Sequence, residues 1–133
     1  TTIYTDAVMP AIEKGLFNGL AHITGSGFLN LPRISDAVSY SIDLPKMETM
    51  PRSIQWLHSL NVLDEREWLT TFNCGIGMIG SARAKDAKKI IQFAKKAGVD
   101  AFIMGEVLQK PKSSPCTVRV QAWNQTHLLN YEE

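Results

Sequence analysis

The sequence predicts an α+β domain, a mixed sheet covered by helices in α/β/α layers. Two segments, Ala37–Asp43 and Cys116–Ala122, alternate apolar and polar residues as a half-buried strand does. Other segments, above all Ala84–Ala97, repeat apolar residues at helical spacing. Short stretches rich in Gly, Pro, Asn and Ser separate the two kinds, so strands and helices interleave along the chain. At 133 residues the chain is long enough for one domain with a hydrophobic core and too short for two.

In chain order, Val8, Ala11, Ile12 and Leu16 mark a first helix, capped by Thr5 or Asp6, with Pro10 near its first turn and Gly15 as its stop. Leu20 to Thr24 reads as a strand. The loop His22-Ile-Thr24-Gly25-Ser26-Gly27-Phe-Leu-Asn30-Leu-Pro32-Arg33 follows, and it is the most informative stretch. Its glycines permit positive φ and close approach of backbone to a bound group, and successive N–H groups in such a loop form a concave anion site. Arg33 offers a planar fork of donors for phosphate or carboxylate, and His22 is the side chain here able to move a proton near neutral pH. Glycine-rich turns and a histidine beside an apolar run also occur for purely structural reasons, and the pattern alone leaves both readings open.

Beyond the strand 37–43, Pro51 suits the start of a helix striped by Ile54, Leu57 and Leu60, with Trp56 and His58 off the stripe. Asp64-Glu65-Arg66-Glu67 has the form of a capping box opening a short helix to about Phe72, its charges expected to form a solvated first turn. Asn73-Cys74-Gly75-Ile76-Gly77-Met78 reads as a strand interrupted by glycines, either a structural bulge or a place where backbone approaches a ligand. Gly98 closes the helix 84–97, whose lysines are most simply a solvated face, since no aromatics interleave with them. Ala101–Met104 reads as a buried strand that Gly105-Glu-Val continues, and Lys110–Pro115 as a turn. After the final expected strand, residues 124–133 form a polar tail, frayed or lightly docked, so the expected division is a domain over 1–123 and a tail over 124–133.

A formal net charge of +1 gives no pull toward nucleic acid or membrane, and no apolar run approaches the roughly 18 residues of a membrane span. The start lacks a signal-peptide layout, so Asn124-Gln-Thr126 is read as a chance glycosylation match. Cys74 and Cys116 fit no zinc or redox spacing, and reduced thiols in a cytoplasmic protein are expected.

The run His22-Ile-Thr-Gly-Ser-Gly-Phe, then Asn30-Leu-Pro-Arg33, then Thr71-Phe-Asn73-Cys-Gly75-Ile-Gly77-Met closely resembles the aminoimidazole ribonucleotide synthetases, also called phosphoribosylformylglycinamidine cyclo-ligases. The likeness extends from Ile3-Tyr4 to about Val120. It implies a carboxy-terminal domain, partly ferredoxin-like and lacking its first strand and helix, of an enzyme much longer than this chain. It further implies ATP-dependent closure of formylglycinamidine ribonucleotide to aminoimidazole ribonucleotide in purine biosynthesis. ATP and Mg2+ would be held mainly by an amino-terminal domain, the full-length enzyme would be a cytoplasmic homodimer, and the fragment alone would be inactive. Carried over by motif, His22 would be catalytic. Thr24, Gly25, Gly27, Asn30, Arg33, Asn73, Gly75 and Gly77 would bind substrate or phosphate, and no residue of this stretch is expected to hold metal.

Two departures stand inside the motif. Ser26 replaces the middle glycine of the family's His-Ile/Leu-Thr-Gly-Gly-Gly, and fits only if its φ is negative. The family's Glu before Asn is absent, which shortens the turn by one residue. The resemblance leaves two alternatives: another ATP-dependent member of the superfamily, of the formylglycinamidine ribonucleotide synthetase or selenophosphate synthetase type, or a free-standing ligand-binding domain without catalysis.

Overall fold

A computed structural model describes residues 2–131. The fold is α+β, and its strands fall into two sheets. The helix α1 (Thr5–Glu13) leads into β1 (Phe17–His22), and a 3₁₀ segment, Gly27–Arg33, leads into β2 (Val38–Asp43). Two further helices, α2 (Arg52–Ser59) and α3 (Glu65–Thr71), precede β3 (Met78–Ala82). The chain then forms α4 (Ala87–Lys96), β4 (Gly105–Gln109), β5 (Thr117–Gln121) and β6 (Thr126–Asn130). β1 pairs with β3 in an antiparallel two-stranded sheet, and the second sheet has the order β4-β2-β5-β6. That second sheet is mixed, because β2 and β5 run parallel while β2–β4 and β5–β6 are antiparallel.

The larger core lies between the four-stranded sheet and the chain segments that bear the motif. Tyr40, Ile42, Val118, Val120 and Leu129 from the sheet join Phe28 and Leu31 of the 3₁₀ segment and Trp68 and Leu69 of α3, all buried. Strand alternation explains the choice: Val118 and Val120 point inward on β5 while Thr117, Arg119 and Gln121 do not. Ala7, Ala11, Leu16 and Ala94 are buried apart from this cluster, where α1 lies against α4. No described helix is long and apolar enough to cross a membrane.

Several sequence expectations change here. α1 begins after Tyr4 with no side-chain cap from Thr5 or Asp6, and Pro10 falls in mid-helix. Its missing N–H therefore leaves the exposed Asp6 carbonyl to water, which is tolerable on an outer helix. Residues 101–104 are not a buried strand. Apart from the Met104 carbonyl, which accepts from the Asp43 N–H of β2 at 2.7 Å, they lie outside the sheet ladder, with Phe102 52% and Ile103 68% exposed, and β4 begins only at Gly105. β4 is an edge strand, and of the stretch leading into it only Met104 packs against the core.

The polar stretch after 123, expected to be frayed or lightly docked, contains β6. Leu129 is wholly buried and His127 nearly so, while Thr126, Leu128 and Asn130 face out. Hydropathy hid this strand because its inward position 127 is a histidine and its outward position 128 a leucine.

Candidate functional site

The motif loop is built as a set of buried anchors carrying exposed reactive groups. Gly27, Phe28, Asn30, Leu31 and Pro32 are buried, whereas His22, Thr24, Gly25, Ser26 and Arg33 are exposed. Asn30 is the clamp. Its Nδ2 donates to the carbonyl of Gly27 at 2.7 Å and of Gly25 at 3.1 Å, tying both glycines to one buried amide. Such bonds satisfy carbonyls that a non-repeating loop would otherwise leave unpaired. Its Oδ1 meets no donor among the described residues.

The backbone at the tip is left-handed at two successive positions. Ser26 has φ 77° and Gly27 φ 51°. The expectation that Ser26 requires a negative φ is therefore wrong: the chain keeps the glycine-like turn and accepts a serine in it. Gly27 cannot be replaced so readily, since a Cβ there would fall on the carbonyl oxygen of Leu69 in α3. This close approach seats the loop on α3, and the Gly27 N–H to Thr24 carbonyl bond of 3.0 Å closes the turn.

His22 ends β1 opposite Met78, and the next residue extends the ladder, Ile23 N–H donating to the Gly77 carbonyl at 2.8 Å. The two motif segments, distant in sequence, thus meet at one end of the β1–β3 sheet. Gly77 also has a neighbour that sequence did not suggest. A Cβ at 77 would fall on the Tyr4 hydroxyl, and the Tyr4 ring stands edge-on to His22 with centroids 6.3 Å apart. Tyr4 therefore fills the space beside Gly77 and walls one side of His22.

Asn73 and Gly75 do not form a strand bulge. The Ile76 N–H donates to the Asn73 carbonyl at 2.8 Å across Cys74 (φ 49°) and Gly75 (φ 81°), and Asn73 Oδ1 accepts from Gly75 N–H at 3.0 Å. Two left-handed central residues define a tight turn of the I′ kind, which delivers the chain into β3. Gly75 sits against Pro51, where a Cβ would come within 2.7 Å of the ring. Cys74 in this turn is fully buried, and burial pushes its thiol pKa up to about 12. Cys116 is also buried, unpaired and raised by burial.

Arg33 lies at the other end of the loop. It lines an open depression of about 380 Å³ together with Ser26, Leu29, Arg66, Asn130 and Tyr131. Arg66 on α3 is oriented by Nη1 donating to the Leu128 carbonyl of β6 at 3.0 Å. Next to it, the expected solvated first turn of α3 is only half right. Asp64 and Glu67 form the capping box, but Glu65 turns inward and meets His127 of β6, Oε2 to Nε2 at 2.9 Å, with both side chains under 10% exposed. Burial pushes the Glu65 carboxyl up, and the His127 hydrogen bond with backbone N–H donors more than offsets it, so its pKa lies below the ordinary value.

Among the described residues, no three His, Cys, Asp or Glu side chains gather as a metal site.

Residues 1–115 match the family described as AIR synthase related protein, C-terminal domain. The chain belongs to that family. Among curated proteins, it is 42% identical over 108 residues to the phosphoribosylformylglycinamidine cyclo-ligase of Methanococcus vannielii, covering 80% of this chain and 30% of that protein. It is 41% identical over 108 residues to the cyclo-ligase of Methanococcus maripaludis strain C6, with the same coverage of 80% and 30%. It is 32% identical over 121 residues to a bifunctional purine biosynthetic protein of Pichia angusta, covering 90% of this chain and 15% of that protein. The chain thus spans less than a third of the length of these relatives.

Proposed function

We propose that this chain is the carboxy-terminal part of a cytoplasmic, ATP-dependent phosphoribosylformylglycinamidine cyclo-ligase acting in purine biosynthesis. The observation that carries the reading is the division of labour in the motif loop. Every residue able to do chemistry there, His22, Thr24 and Arg33, is exposed, and every residue between Gly27 and Arg33 that fixes the backbone is buried or packed on the core. A loop serving stability alone has no need to hold an imidazole and a guanidinium in solvent on a rigid frame.

In this reading ATP phosphorylates the formyl oxygen of formylglycinamidine ribonucleotide, releasing ADP. A nitrogen of the same substrate then attacks the formyl carbon, the carbon–oxygen bond breaks and phosphate departs. The chain's residues would supply position and proton movement. His22, walled by Tyr4, would orient the reacting amide or take the proton that the attacking nitrogen loses. Thr24 and Gly25 would form the rim beside it, and Gly27 and Asn30 would hold that rim in place. Arg33 would bind phosphate. Gly77 supports the His22 end through its carbonyl, and Asn73 and Gly75 shape the turn that brings it there. ATP and Mg2+ are assigned mainly to the part of the family's length outside this chain, which is also where we place the homodimer contact.

The test is to express the complete protein that contains this chain and incubate it with ATP, Mg2+ and formylglycinamidine ribonucleotide. Formation of aminoimidazole ribonucleotide with one ADP and one phosphate per turnover supports the assignment, with the 133-residue chain alone inactive. Failure of the complete protein to form that product refutes it.

A further inference from the structure

The depression beside the motif loop gathers two guanidinium groups and, among the described residues, no carboxylate: Arg33 and Arg66 line it with Ser26, Leu29, Asn130 and Tyr131. Neither arginine is within ion-pair distance of a carboxylate among the described residues. Two like charges facing one opening raise its positive potential and are individually unfavourable unless an anion enters. The adjoining depression, of about 270 Å³, shares Tyr131 but is lined by both Asp36 and Lys110, whose formal charges cancel. The contrast singles out the Arg33–Arg66 opening.

Both arginines are presented by fixed backbone. Arg33 follows the buried Pro32 at the end of the 3₁₀ segment, where Ile34 N–H bonds back to the Leu31 carbonyl at 2.9 Å. Arg66 spends one N–H on the Leu128 carbonyl, and its other donors meet no acceptor among the described residues. Ser26, Asn130 and Tyr131 add neutral hydrogen-bonding groups around the charge, and Leu29 adds an apolar side chain. Guanidinium pairs with neutral donors suit the three terminal oxygens of a phosphate better than a carboxylate's two.

We propose that Arg66 joins Arg33 in binding the terminal phosphate of a phosphorylated ligand. This site deepens the functional reading above and rests on it for the identity of the ligand, which is either the sugar phosphate of the ribonucleotide or the end of the ATP chain.

Titration of the chain with ribose 5-phosphate, ribose and ATP, followed by amide and guanidinium NMR shifts, tests it. Ribose 5-phosphate or ATP should bind, ribose should not, and Arg66→Gln and Arg33→Gln should each weaken binding of the phosphorylated ligand about tenfold or more. Affinity should fall with added salt. Saturation by ribose 5-phosphate with no response to ATP assigns the sugar phosphate, and the reverse assigns the nucleotide. Because Arg66 also bonds β6, thermal midpoints of the variants are measured alongside, and Arg66→Lys provides a charge-keeping control that should retain more binding than Arg66→Gln. Unchanged affinity in folded Arg66→Gln, or equal binding of ribose, overturns the proposal. Ring closure by the complete protein with a silent Arg66 refutes this site and leaves the function standing; arginine-dependent phosphate binding without ring closure does the opposite.

Discussion

The inward pair of Glu65 and His127 ties the start of α3 to β6, and removing either partner should cost far more than a surface ion pair. The two groups meet at 2.9 Å with side-chain exposures of 9% and 8%, and Glu65 Oε1 also accepts from the Asn124 N–H at 2.9 Å. An exposed pair contributes about 0 to 1 kcal/mol, whereas deleting one partner of a fully buried pair costs roughly 3 to 5. This pair sits at the edge of the core, and a hydrogen bond to a charged group is worth about 1.5 to 3 kcal/mol, so Glu65→Gln and His127→Gln should each lose about 2 kcal/mol. For a chain of this size that lowers the thermal midpoint by roughly 6 to 10 °C.

Trp68 and Trp123, whose rings both lie against His58, report the transition by fluorescence during urea unfolding. The double variant should lose much less than the sum of the single losses, giving a coupling above about 1 kcal/mol. The pH dependence has a definite sign. Because the folded Glu65 pKa lies below the ordinary 4.5, the pair's contribution is complete above that value and is lost as pH falls through the folded pKa. The gap between wild type and Glu65→Gln should therefore close on acidification below the ordinary carboxylate value of 4.5. Additive single losses within about 0.5 kcal/mol, or a gap that widens in acid, would mean that Glu65 and His127 do not stabilise the fold as a pair.

Other outcomes follow from the loop and the cysteines. Gly27→Ala should destabilise by more than about 3 kcal/mol in urea titration, since its Cβ meets the Leu69 carbonyl at positive φ, while Gly25→Ala, with nothing within 4 Å, should stay within about 1. Equal effects would mean that the loop is not seated on α3 as described. Ser26→Gly should raise stability by up to about 1 kcal/mol by relieving a left-handed serine; a loss of that size would show that the hydroxyl holds the turn. Both thiols should resist Ellman's reagent at pH 8 in the folded chain and react on unfolding, because both are buried and Cys74 is raised to about 12. Rapid labelling of a folded thiol would contradict that placement.

Local chemistry made much of this fold readable. The capping box at Asp64 and Glu67 forms both of its reciprocal bonds, and Gly98 (φ 73°) closes the helix that the lysine-rich stretch predicted. Alternation placed β2 and β5, and the two glycine-bearing motifs do converge, through Ile23 and Gly77. What stayed hidden depends on partners distant in sequence. Arg66 looks like a solvated helix residue until β6 lies beside it, and Glu65 meets a histidine 62 positions away. Tyr4 gave no signal because only the glycine at 77 makes room for its hydroxyl. Residues 101–104 misled in the opposite sense: an apolar run reads as buried, but burial requires a neighbour, and an edge strand has one side without any.

If the exposed imidazole at the end of β1 acts on the substrate, the turnover of His22→Asn in the complete protein will reveal it. His22 is exposed and makes no hydrogen bond to a described side chain, so the substitution should leave the thermal midpoint within about 2 °C. The kcat for ring closure should fall about 100-fold or more, the scale of general acid–base catalysis. A kcat within twofold of wild type would contradict that role.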